Sequence, residues 1–167
     1  MKKKWSVILF LGVLAGFASV LPFQSSDVAQ LVPVETLVVS MDQGEVVLNG
    51  GACQGRGATW QEAWSDLQKG AAGTVFLGTA EQVVLTGGAA ELLPDAAWCE
   101  GLRPAATVCV CPGPAPEPEE AAAYLGAHNG GVTLQSVQAA LLAGEAIELP
   151  VLINGEGGLR LHGTRNR

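Results

Sequence analysis

The stretch GRGATWQEAWSDLQKGAAGTVFLG, residues 55–78, decides how this chain folds. It reads as a glycine-rich turn, a short amphipathic helix, a second glycine break and the approach to a strand. Thr59 and Glu62 stand three apart, so the hydroxyl can accept from the third helical N–H while the carboxylate reaches back toward the cap. Trp60, Ala63, Trp64 and Leu67 follow the i, i+3, i+4, i+7 rule of a face that must be buried. Lys69 suits the carbonyl end of the helix, and Gly70 is the expected stop.

Working outward, short β-branched runs surround this helix. Residues 35–40 (ETLVVS) and 45–49 (EVVLN) read as a hairpin with the four-residue turn Met41-Asp42-Gln43-Gly44. Residues 74–77 and 82–86 give an extended pair or one interrupted strand. Residues 107–111 (TVCVC) have the apolar character of a central strand, stopped by Pro112-Gly113-Pro114. Helices are expected over 89–93, from Pro94 to Gly101, over 116–125, and from the cap Thr133 to Gly144 with Leu134, Val137, Leu141 and Leu142 inward. Residues 147–153 and 159–161 read as final strands. Strands alternate with helices, which predicts one α/β or α+β domain: a mixed β-sheet flanked by helices, preceded by an N-terminal hydrophobic helix.

The chain has 167 residues, 49% of them hydrophobic, enough to bury a core without staples. Its formal charge is −7; without Lys2, Lys3 and Lys4, six cations face sixteen acids, a net of −10. That balance argues against nucleic acid and against adsorption to an anionic membrane by charge. Residues 5–23 carry no charge and would span about 28 Å as a helix. With the basic flank inside, the remainder is expected outside, behind a signal peptide or an uncleaved membrane anchor at 1–24. A linker is expected at 25–33, the domain at 34–163 and a tail at 164–167.

No catalytic set is legible. The glycines at 50, 51, 55 and 57 occupy the place of a phosphate loop, but Arg56 is followed by glycine, and no Walker or dinucleotide pattern is met. The bland reading is a flexible turn into a capped helix. If a partner surface exists, it is expected there, at Gly55, Arg56 and Gly57, where glycines leave backbone groups open. Cys53, Cys99, Cys109 and Cys111 read as core thiols, with disulfides allowed by export. Use of Cys109 and Cys111 as reactive thiols would require a lowered pKa. His128 and His162 have no spacing to the cysteines that makes a metal site, and no cofactor or metal is expected.

From Val34 to Gly163 the chain resembles the Ger(x)C family, the C subunits of spore germinant receptors, over the N-terminal domain. The family segment G-x-G-x-T-x-x-E-A-x-x-x-L is matched by Gly55, Gly57, Thr59, Glu62, Ala63 and Leu67. The family's Leu-Gly turn and valine-rich strand are similar to Phe76-Leu77-Gly78 and Val83-Val84-Leu85. Then come Leu92-Leu93, Leu102-Arg103 with the 107–110 strand, the 133–142 helix, Leu149-Pro150-Val151 and the 159–163 strand. Where the family has histidine after the turn, this chain has Thr79. No cysteine follows the apolar run to take a lipid, and the two later family domains are not part of this sequence.

The resemblance implies a non-enzymatic protein acting in spore germination through protein–protein contacts. Its partners would be the membrane and the integral-membrane A and B subunits of a germinant receptor. Its place would be the extracytoplasmic side of the inner spore membrane, or outside the cell if released. The alternative is a free extracytoplasmic small-ligand-binding domain.

Overall fold

The computed structural model describes residues 30–128 and 131–166. The apolar segment 5–23 therefore lies outside the described residues, as does most of the expected linker. Among the described residues no helix is long and apolar enough to cross a membrane.

The elements run β1 (Leu31–Pro33), β2 (Thr36–Asp42), β3 (Glu45–Asn49), β4 (Gln54–Gly57), α1 (Trp60–Gly70), β5 (Thr74–Phe76) and β6 (Gln82–Thr86). They continue with α2 (Leu93–Ala97), β7 (Thr107–Cys111), α3 (Pro118–Ala127), α4 (Leu134–Ala143), β8 (Glu148–Gly155) and β9 (Gly158–Asn166). Seven strands form one mixed sheet in the order β4-β3-β2-β6-β7-β8-β9, and β1 and β5 form a separate parallel pair. The middle strands β2, β6, β7 and β8 are parallel, and antiparallel partners close both ends. The fold is thus the mixed sheet with flanking helices that the alternation of elements predicts.

Alternation along the parallel strands supplies two apolar faces, as a sheet covered on both sides requires. Leu37, Val39, Val83, Leu85, Val108, Val110 and Leu149 face α1, α2 and α4. Val38, Val84, Cys109, Cys111, Leu152 and Leu159 face Ala121 and Leu125 of α3. Each Leu or Val fully buried this way contributes about 1.5–3 kcal/mol relative to exposure. Strand β6 is buried along its whole length, which marks it as the spine.

Helix α1 starts as its sequence dictates. The Thr59 hydroxyl accepts from Glu62 N–H at 3.2 Å, and the Glu62 carboxylate takes the Ala58 N–H at 2.9 Å. Trp60, Ala63 and Leu67 are buried, while Trp64 packs at the margin. Gly70 remains helical, and the helix stops at Ala71 in an extended conformation.

Several elements differ from expectation. The β2–β3 turn tightens to Gln43-Gly44, both left-handed with φ of 51° and 87°, because β2 pairs with β3 as far as Asp42 and Glu45. Leu31–Pro33 is a strand, because Thr74–Phe76 offers it a parallel edge outside the main sheet. Residues 87–92 wind as a 3₁₀ turn leading into α2. In α4, Leu134 and Val137 are buried, but Leu141 sits at the rim and Leu142 is 77% exposed. The stripe of α4 that meets the sheet is narrower than its apolar content.

Candidate functional site

The residues expected to form a partner loop lie in strand β4. Gly55 pairs with Leu48, Arg56 with Val47 and Gly57 with Val46. The flexible-turn reading is corrected here. The glycines do not leave backbone open; they let the strand press against α1. A side-chain carbon at Gly57 would stand 2.5 Å from the Ala63 nitrogen, and at Gly55 it would meet the Ala63 carbonyl and the Leu67 nitrogen. Arg56 does face solvent, with its guanidinium 2.9 Å from Asp42 and its own N–H bonded to the Asp66 carboxylate at 3.0 Å. An exposed ion pair of this kind is worth little to stability.

All four cysteines are free. Cys53, Cys109 and Cys111 are buried and Cys99 is partly so. Burial pushes the Cys109 thiol up to about 12, with the neighbouring Cys111 adding to the shift. Burial also raises Cys53, Cys99 and Cys111. Nucleophilic chemistry needs the thiolate, so the low-pKa requirement of the reactive-thiol reading is not met. The His128 ring stacks on Tyr124 at 4.3 Å, and its Nδ1 lies 2.9 Å from the Tyr124 carbonyl. Among the described residues no group of three or more His, Cys, Asp or Glu side chains is placed to hold a metal ion.

Thr79, at the place of the family histidine, makes a structural joint. Its Oγ1 accepts from Val34 N–H at 3.2 Å and has the Val34 and Phe76 carbonyls at 3.0 and 3.1 Å for its own proton. It ties the turn before β6 to the entrance of β2.

Beside that joint lies a feature that sequence reasoning missed. The starts of β2, β6 and β7 open beneath α3 into a cleft of about 640 Å³. Glu35, Glu81, Arg103 and Glu119 rim it, and Gln82 forms part of its floor. Backbone bonds from Glu81 N–H to Glu35 and from Thr107 N–H to Glu81, both 2.8 Å, hold the strand starts together. Gln82 is only 6% exposed. Its Oε1 accepts from the Thr36 hydroxyl at 2.8 Å, but its Nε2 has no partner among the described residues. Arg103 pairs with Glu81 at 3.2 Å, while its buried Nε–H is likewise unpartnered. A buried donor left alone costs about 1–3 kcal/mol, which applies to Arg103 Nε inside the wall; Gln82 Nε2 keeps solvent contact and meets no protein acceptor at the cleft. The only sequence signal was a polar residue, Thr36 or Gln82, opening each of two apolar strands.

Comparison of the chain with protein-family models, with curated proteins and with solved structures finds no match.

Proposed function

We propose that this chain is a non-enzymatic, exported and membrane-held contact domain, related to the N-terminal domain of the Ger(x)C germinant-receptor C subunits. In that role it works in spore germination on the extracytoplasmic face of the inner spore membrane. It acts by docking to the integral-membrane A and B subunits of a receptor. The family resemblance supports the relationship: Gly55, Gly57, Thr59, Glu62, Ala63 and Leu67, which carry it, form one packed strand–helix joint.

The observation that carries the contact reading is the apolar surface where α2 meets α4. Gln138 Nε2 donates to the Ala97 carbonyl at 2.6 Å and fastens the two helices. Trp98, the next residue after Ala97, is 54% exposed. Leu142 leaves α4 one turn beyond Gln138, with Leu141 beside it at the rim. Large apolar side chains gathered at one joint mark an interaction surface more than singly scattered ones do. Trp is also among the residues that most often anchor interfaces.

The test is fractionation of growing cells and purified spores, followed by capture of the chain from solubilised spore membrane. Full-length protein in the spore membrane, bringing integral-membrane partners that Trp98→Ser with Leu142→Ser releases, is the expected result. A shortened protein in the medium, or capture unaffected by the double substitution, overturns the reading.

A further inference from the structure

We infer that the cleft at the starts of β2, β6 and β7 is a binding site for a small amine that also carries an acceptor oxygen, as in an amino sugar or an amino acid. The inference goes beyond the docking role and stands whether the chain is held in a membrane or released.

The chemistry of the walls sets the ligand. Gln82 is held rigid by burial and by the Thr36 hydroxyl on its Oε1, so its unpartnered Nε2 protons are fixed at the floor. Arg103 stands at the side with its guanidinium paired to Glu81, and its buried Nε is closed to a ligand. The Gln82 donor has no protein acceptor, so the ligand brings an oxygen. Around it the charge is of the other sign. Glu81 is matched by Arg103, but the carboxylates of Glu35 and Glu119 have no partner among the described residues. Two unmatched carboxylates at the rim favour a cation, and an ammonium supplies three donors in a compact group. A lone anion satisfies the donors but is repelled by the rim. A neutral sugar satisfies the donors and leaves the rim charge unmatched.

The volume agrees with this class. About 640 Å³ falls within the ~300–1,000 Å³ of small-molecule sites, and the opening is to solvent on the side of α3 away from the α2–α4 joint. Glu35, Gln82 and Arg103 sit at strand starts or in the loop before a strand, which fixes them on the rigid sheet; Glu119 comes from the first turn of α3. The approach of α3 to the sheet therefore sets the width of the site.

The full chain, in detergent micelles with its glutamine side-chain amides labelled with ¹⁵N, is titrated separately with glucosamine, L-lysine, glucose and acetate. Each is taken to about 20 mM, enough to register millimolar affinity. Saturable shifts of the Gln82 amide with glucosamine, with lysine or with both are expected, and glucose and acetate leave it unmoved. Glucosamine alone would assign the acceptor to a hydroxyl, lysine alone to a carboxylate. Glu119→Gln, an exposed change that leaves the fold intact, weakens the amine by about tenfold as read on the Gln82 amide. Flat titrations with both amines, glucose acting as strongly as glucosamine, acetate acting alone, or no effect of Glu119→Gln each overturn the assignment.

Discussion

A side-chain carbon on Gly55 would stand 2.5 Å from the Cβ of Leu67, closer than two carbons can approach. Strand β4 and helix α1 are therefore in contact because position 55 has no side chain. Gly55→Ala must separate them and disturb Leu67, which is fully buried. Overpacking of this kind costs about 1–3 kcal/mol. Gly126→Ala is the control: the site lies in α3 with nothing within 4 Å, and the change should stabilise by about 0.5–1 kcal/mol. Urea unfolding of the two variants in parallel separates them in sign. Equal stability of Gly55→Ala and the parent chain would refute the close-packing account.

The two side-chain helix caps give a second prediction. Thr59 and Thr133 each accept the N–H three residues on, from Glu62 and Ser136, both at 3.2 Å. Thr59→Ala and Thr133→Ala should each cost about 1 kcal/mol, and the losses should add because the caps begin different helices. Thermal unfolding of the singles and the double checks both statements. A Thr59→Ser variant recovering most of the loss ties it to the hydroxyl.

Local chemistry explains why some of the fold was legible and some was not. The Thr59 and Glu62 cap and the Trp60, Ala63, Leu67 stripe are set by residues within two turns of one another, so sequence alone places them. Residues 107–111 read as a central strand because both of its faces are apolar, and both are in fact covered. Strand β4 was read as loop because glycine is a poor strand former. What makes it a strand is the pairing with β3 and the pressure of α1, neither of which is local. Leu142 follows the helical period of Leu134 and Val137 closely enough to be read as buried, but in the fold it is left largely exposed. The cleft was illegible for the same reason. Glu35, Gln82, Arg103 and Glu119 are spread over more than eighty residues, and parallel strand order brings them together.

The thiols make the fold sensitive to alkali. Cys109 ionises at about 12 in the fold, against an ordinary value of 9.0. A group raised on folding contributes its full stability below the unfolded value and loses it as pH climbs toward the folded one. Stability should hold to about pH 9 and then fall by up to about 1.4 kcal/mol per pH unit from this group. The raised Cys53, Cys99 and Cys111 act with the same sign. Urea midpoints measured with reductant at about pH 8 and about pH 10 should drop, and Cys109→Ala should flatten the drop. An unchanged slope in that variant would mean the thiol is not buried as described.

Thr79 joins the β1–β5 pair to the main sheet through one hydroxyl, and removing it tests how independent the two parts are. Val34 N–H has a second, longer partner in the Phe76 carbonyl at 3.3 Å, so Thr79→Val does not leave it orphaned. The expected global loss is accordingly near the typical net value of one hydrogen bond, about 1 kcal/mol. The local effect should be larger. Strand β1 has only three residues and one strand partner, and the chain just beyond Pro33 is held by the Thr79 hydroxyl together with the longer Phe76 bond and the buried Val34 side chain. Amide hydrogen exchange in Thr79→Val should quicken along Leu31–Pro33 and Thr74–Phe76 while the interior of β6 keeps its protection. Thr79→Ser, which retains the oxygen, should exchange like the parent chain. Uniform acceleration across β1 and β6 in the valine variant would show that the two sheets open as one unit.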